Sequence, residues 1–233
     1  GEAESVVLPY LVLAAVIGAV ILLFIRQRIP EVAPEGDGED GMTFSRRVFH
    51  HPHLVLAVVA QFFYVGAQIG VGSFFVRFSQ QATGLTDKQA GFLWGSFAMV
   101  GFMVGRFAGT LAMRFIRPAR LLTLYAVISA GLLAVAVNTT GMTAVTALML
   151  VPFFMSIMFP TIFDLGIKHT GEMAKLGSSL LVMSIVGGAI VPLIMGRVSD
   201  AFHSIQLAYY APLVCFGVVA LYGWKGTGAA RDE

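Results

Sequence analysis

Residues 151–171 read VPFFMSIMFPTIFDLGIKHTG, the end of an apolar run that begins near Thr143 and contains Pro152, Pro160, a Phe pair and a single acid, Asp164. A core helix of a soluble domain has no need of such length. About twenty apolar residues are what a helix requires to cross the hydrocarbon of a bilayer, and breaks are tolerated there when they face protein or water rather than lipid. The run therefore predicts a broken membrane-spanning helix of the kind that lines a transport pathway.

The remainder of the chain repeats the signal. Apolar runs lie at 6–25, 54–76, 91–113, 120–137, 142–165, 178–196 and 206–224, each long enough to span a bilayer with modest tilt. Hydrophobic residues make up 57% of the chain and charged residues 12%, and the mean hydropathy is +0.82. Such a composition excludes a soluble globular domain, so an all-α membrane protein is expected.

The net charge of +2 is uninformative, but the placement of the cations is not. Arg26, Arg28, Arg46, Arg47, Arg114, Arg117, Arg120, Lys168, Lys175, Lys225 and Arg231 fall in alternate loops or at the C-terminal end, whereas the opposite side carries Arg77, Lys88 and Arg197. The positive-inside rule makes the first side cytoplasmic, with the N-terminus outside and the C-terminus inside. Arg106 alone lies within a span. The single cysteine, Cys215, excludes an internal disulfide. Gly1 to Ser5 contain no Met and no basic residue, so the first span does not read as a signal peptide, and the chain is expected to begin within a longer protein. EVAPEGDGEDG (31–41) reads as a flexible linker separating one span from six.

The six later spans form two sets of three. Gly105-Arg106-Phe107-Ala108-Gly109 closes one set's middle span and Gly196-Arg197-Val198-Ser199-Asp200 closes its counterpart, 91 residues later. Applied to the other spans, that offset falls close to their counterparts. An odd number of spans per set places the two copies in opposite orientation, the construction of inverted repeats in secondary transporters.

QFFYVGAQIGVGSFF (61–75), GRFAGT (105–110), SIMFPTIFDLGIKH (156–169) and GSSLLVMSIVGGAIVP (177–192) resemble the C-terminal half of the L-fucose/proton symporter family of the major facilitator superfamily, over about Gln61 to Trp224. The resemblance implies a twelve-helix plan. Residues 1–25 would be the last helix of the N-terminal half, 26–53 a cytoplasmic inter-half linker, 54–224 the C-terminal six-helix bundle of two inverted repeats, and 225–233 a cytoplasmic tail. It further implies proton-coupled uptake of L-fucose or a related hexose by alternating access in a bacterial inner membrane. The partners would be sugar, proton, lipid bilayer and an N-terminal half that holds the proton-carrying acids. Family members that carry glucose and galactose fit the same motifs, and a seven-helix receptor-like protein is the alternative from another class. No cofactor, metal or nucleic acid is expected, and no enzyme, since HExxH, GxSxG and GxxxxGK[ST] motifs are missing.

Gln61, Tyr64 and Gln68 recur at i, i+3 and i+7 and share one helical face. Amide side chains pair with sugar hydroxyls, and an aromatic ring accepts the C–H face of a sugar. The competing use is hydrogen bonding between helices. By the resemblance, Phe159 stands where the family has a sugar-contacting tyrosine; it is either a stacking surface without a hydroxyl or a core aromatic. Pro160 frees a backbone carbonyl and bends its helix. Arg106 and Asp164, both placed toward the cytoplasmic ends of their spans, are candidates for an inner-gate bridge, with Lys168 as a local partner for Asp164.

Other features have plainer readings. Trp94 suits an interfacial anchor. His50, His51 and His53 beside Pro52 read as a solvated loop. Gly66/Gly70, Gly101/Gly105/Gly109 and Gly187/Gly188 read as close-packing surfaces between helices.

Overall fold

The computed structural model describes residues 51–168 and 170–226, together with helical positions 7, 11, 12, 14–19 and 21–23. The chain divides into two compact units, Gly1–Thr43 and Phe44–Glu233. In the first unit, apolar helical residues such as Leu11, Val12, Val16 and Leu22 are exposed. Part of the first expected span, the linker up to residue 50 and the tail from 227 lie outside the described residues.

The second unit contains six helices long and apolar enough to cross a membrane: α1 Pro52–Thr83, α2 Asp87–Ala112, α3 Pro118–Asn138, α4 Gly141–Ile167, α5 Ala174–Phe202 and α6 Ile205–Lys225. They match the six later apolar runs. Local chemistry sets their ends. Pro52 and Pro118 occupy the first helical turn, where a missing N–H costs nothing. Gly84, at φ 71°, turns the chain left-handed after α1, a conformation that glycine adopts without a Cβ clash. Thr86 and Gln89 cap α2 reciprocally, the Gln89 N–H donating to Thr86 Oγ1 and the Thr86 N–H donating to Gln89 Oε1. Gln206 Nε2 donates to the carbonyls of Ala136 and Thr139, closing the end of α3 from the start of α6.

Four of the six helices are interrupted, α6 by a turn at Tyr209 and a closing π segment at Tyr222–Gly226. α2 widens into a π segment at Leu93–Ala98. α4 breaks at Ser156–Ile157, one turn before Pro160, whose ring nitrogen cannot donate to the Ser156 carbonyl. α5 tightens into a 3₁₀ turn at Ser184–Val186, just before the Gly187–Gly188 pair.

The two three-helix sets are related by an internal exchange. Gly141 follows Pro52 by 89 residues, Ala174 follows Asp87 by 87, and Ile205 follows Pro118 by 87. The packing obeys the same exchange: α1 lies on α5 as α4 lies on α2, α1 on α6 as α4 on α3, and α3 pairs with α6. α1 and α4 form the centre, each 56% buried over its most apolar window, while their neighbours α2 and α5 reach 17% and 28%. Two broad apolar faces are thus left uncovered on the second helix of each set.

Glycine permits the crossed contacts. A Cβ at Gly187 would strike the Phe62 carbonyl, and one at Gly105 would strike the Phe153 carbonyl. Backbone meets backbone at both places, as small residues allow in membrane bundles. Gly66, Gly70, Gly109 and Gly188 also abut side chains of a facing helix, but Gly101 departs from the expected set, with open space where its Cβ would be.

Candidate functional site

The face of α1 that carries Gln61, Tyr64 and Gln68 turns into the bundle. Gln61 and Tyr64 are fully buried, and Gln68 is half-buried. The Tyr64 hydroxyl donates to the Met155 carbonyl at 3.0 Å. Neither amide atom of Gln61 has a hydrogen-bond partner. Of the three residues, only Gln68 retains a partly open side chain.

Phe159 is half-buried, edge-on to Tyr64 at 6.4 Å and stacked with Phe163 at 6.4 Å and 13°. Pro160 is exposed beside it. The α4 break therefore offers a half-buried aromatic ring and an exposed proline, whereas Ser156, whose carbonyl Pro160 deprives of its usual donor, is itself buried.

Arg106 and Asp164 are both exposed, and they form no ion pair with each other. Register explains the separation. Gly105 meets Phe153 and Gly109 meets Ile157, so Arg106 lies level with the middle of α4 rather than with its end. Asp164 lies roughly 10 residues farther along, about 15 Å at the helical rise. Asp164 forms no ion pair with Lys168 either; the Lys168 N–H closes the helix on the Asp164 carbonyl at 3.1 Å. Arg106 instead lies on an open face of α2 with Met103, Phe107, Thr110, Leu111 and Arg114. Arg106 lies six residues before the end of α2, near the end of its span as expected from the sequence. The glycines at 105 and 109 set the slide of α2 along α4, and with it the level of Arg106 against α4.

Two other residues differ from their expected settings. Trp94 packs inward on α1, its ring 4.8 Å from that of Phe75 and against Gly72. His53 belongs to the first turn of α1 rather than to a loop, and its Nε2 lies 3.1 Å from the Lys168 carbonyl, joining the ends of α1 and α4; His50 lies outside the described residues.

The family model of the Major Facilitator Superfamily matches residues 5–192. The glucose/galactose transporter of Brucella abortus biovar 1 (strain 9-941) is 39% identical over 97% of this chain and 55% of its own length. The L-fucose-proton symporter of Escherichia coli (strain K12) is 38% identical over 94% of this chain and 51% of its own. Among solved structures, the E. coli fucose:proton symporter superposes with a TM-score of 0.82 at 36% identity, covering 94% of this chain and 54% of that one. The chain spans about half the length of the curated relatives it matches.

Proposed function

The chain belongs to the major facilitator superfamily, and from that premise we propose that residues 54–224 form the C-terminal bundle of a proton-coupled hexose carrier working by alternating access. The supporting observation is the joint likeness, above 35% identity, to an L-fucose-proton symporter and to a glucose/galactose transporter, carried by a bundle with the same inverted three-helix construction. Rocking of this bundle against a second one exposes a site between them to each side in turn. Residues 1–25 then supply the last helix of that second bundle, 26–53 the cytoplasmic connection and 225–233 a cytoplasmic tail, in a bacterial inner membrane with the C-terminus inside.

The site on this half is the surface at the α4 break. Phe159 stacks on the C–H face of the sugar, and Gln68 pairs with a hydroxyl. Arg106, at the same depth on the uncovered side of α2, is the charged member. A guanidinium on an apolar helix face is costly unless paired, and it finds its partner across the interface with the second bundle. A lone tie between Arg106 and Asp164 is not part of this scheme, given their difference in depth.

Glucose or galactose rather than L-fucose is the second reading, favoured by the Brucella relative and by Phe159, which cannot donate a hydrogen bond to a sugar. The experiment is competition uptake into proteoliposomes by a carrier containing this bundle, with an imposed proton gradient. Saturable hexose uptake that collapses with the gradient supports the reading. Uptake of no hexose, or uptake indifferent to the gradient, overturns it.

A further inference from the structure

Among the described residues, Gln61 alone has a side-chain amide that is fully buried with neither its nitrogen nor its oxygen hydrogen-bonded. Its surroundings are defined by its neighbours on the α1 wheel. Ala57 and Tyr64 lie to one side and meet α4, at Gly166 and at the Met155 carbonyl. Leu54 and Val65 lie to the other side and meet α5, at Gly177 and Gly188. Gln61 therefore points into the seam between α4 and α5.

Both walls of that seam are interrupted close to its level, α4 at Ser156–Ile157 and α5 at Ser184–Val186. Each wall also carries a buried hydroxyl nearby. Thr161 Oγ1 donates to the Ile157 carbonyl at 2.6 Å, and Ser184 Oγ donates to the Leu181 carbonyl at 2.6 Å. A hydroxyl that donates still accepts, so either oxygen remains a possible acceptor for the Gln61 amide once its wall shifts. An amide sealed without partners raises the free energy of the packing that seals it, by more than an apolar side chain of equal size would.

We propose that Gln61 sets the balance between two packings of this bundle, its unpaired amide penalising the one seen here and favouring one in which α4 and α5, bending at their breaks, bring it an acceptor. A ligand or partner bundle needs only modest differential affinity to move an equilibrium poised in this way. The α4 break is also where Phe159 and Pro160 are exposed, so the same bend alters that surface.

The test uses the purified chain in detergent, comparing Gln61→Met, which keeps side-chain volume without hydrogen-bonding capacity, with Gln61→Leu as a second variant. Removing the penalty raises the apparent Tm by about 3–6 °C and slows amide hydrogen exchange about tenfold within residues 153–163 and 181–190. Gln68→Met, on the partly open part of the same face, leaves exchange at both breaks unchanged. A Tm that stays level or falls in both Gln61 variants overturns the assignment, because the amide is then satisfied in the resting packing. A raised Tm with exchange unchanged at the breaks overturns it equally, since Gln61 would then burden the fold without biasing the bend. The switch depends on bundle packing alone, so its failure leaves the hexose-carrier reading standing.

Discussion

Phe159 presents one ring to its neighbours, edge-on to Tyr64 and stacked on Phe163, and keeps part of its surface open. If that surface meets sugar, Phe159→Tyr adds a donor that must find a sugar oxygen or remain unpaired, so the ranking of fucose, galactose and glucose in competition uptake shifts. An unaltered ranking assigns the ring to the core. Gln68→Ala removes a partner from one sugar hydroxyl, which costs about 1–3 kcal/mol, or about 5- to 150-fold in affinity by calorimetry; expression is unaffected. Arg106→Gln lowers gradient-driven uptake at least tenfold if the guanidinium pairs across the interface, and Arg106→Lys restores part of it; equal uptake by all three proteins discards the pairing. The i, i+3, i+7 spacing of Gln61, Tyr64 and Gln68 was legible in the sequence, but the direction in which that face turns was not. A helical period shows which residues share a face. In a membrane bundle both lipid and core are apolar, so polarity alone does not say whether a shared polar face looks outward or is spent between helices, as it is for Tyr64.

At the scale of the element, run length and hydropathy made all six later spans legible, because a helix crossing hydrocarbon must satisfy every backbone group itself and so cannot be short or irregular at random. Interruptions were legible only where proline marks them. Pro160 announces the α4 break, whereas the 3₁₀ turn at Ser184–Val186 and the π segment at Leu93–Ala98 involve no proline and are signalled only by the glycines around them. Glycine spacing was similarly half-informative. Gly105→Ala places a methyl against the Phe153 backbone carbonyl, which cannot rotate aside, so α2 and α4 must separate. The expected cost is about 1–3 kcal/mol, read as a lower melting temperature in detergent. Gly101→Ala, one turn away and facing open space, gains helix propensity and is neutral or stabilising by up to about 1 kcal/mol. Equal melting temperatures for the two variants would contradict the close α2–α4 crossing.

At the largest scale, the described residues of the second unit form one bundle whose two sets exchange partners about an internal axis, and its uncovered faces belong to α2 and α5. Alternating access needs two such bundles moving about a shared site. The fifty residues before His51 are too few for a second one at about twenty residues per span. On the proposed reading these 233 residues would contribute one wall of the cavity, with Phe159, Gln68 and Arg106 facing a space that a second bundle would close. On its own, the chain would leave the Arg106 guanidinium on an uncovered apolar helix face, an arrangement that favours self-association. Reconstituted alone in liposomes with an imposed proton gradient, it gives no saturable sugar uptake. Supplying an N-terminal bundle restores measurable uptake, and Arg106→Gln blunts the restoration. Robust saturable uptake by the purified 233-residue chain would overturn the two-bundle account, and the site would then have to be sought within this bundle, beginning with the seam that holds Gln61.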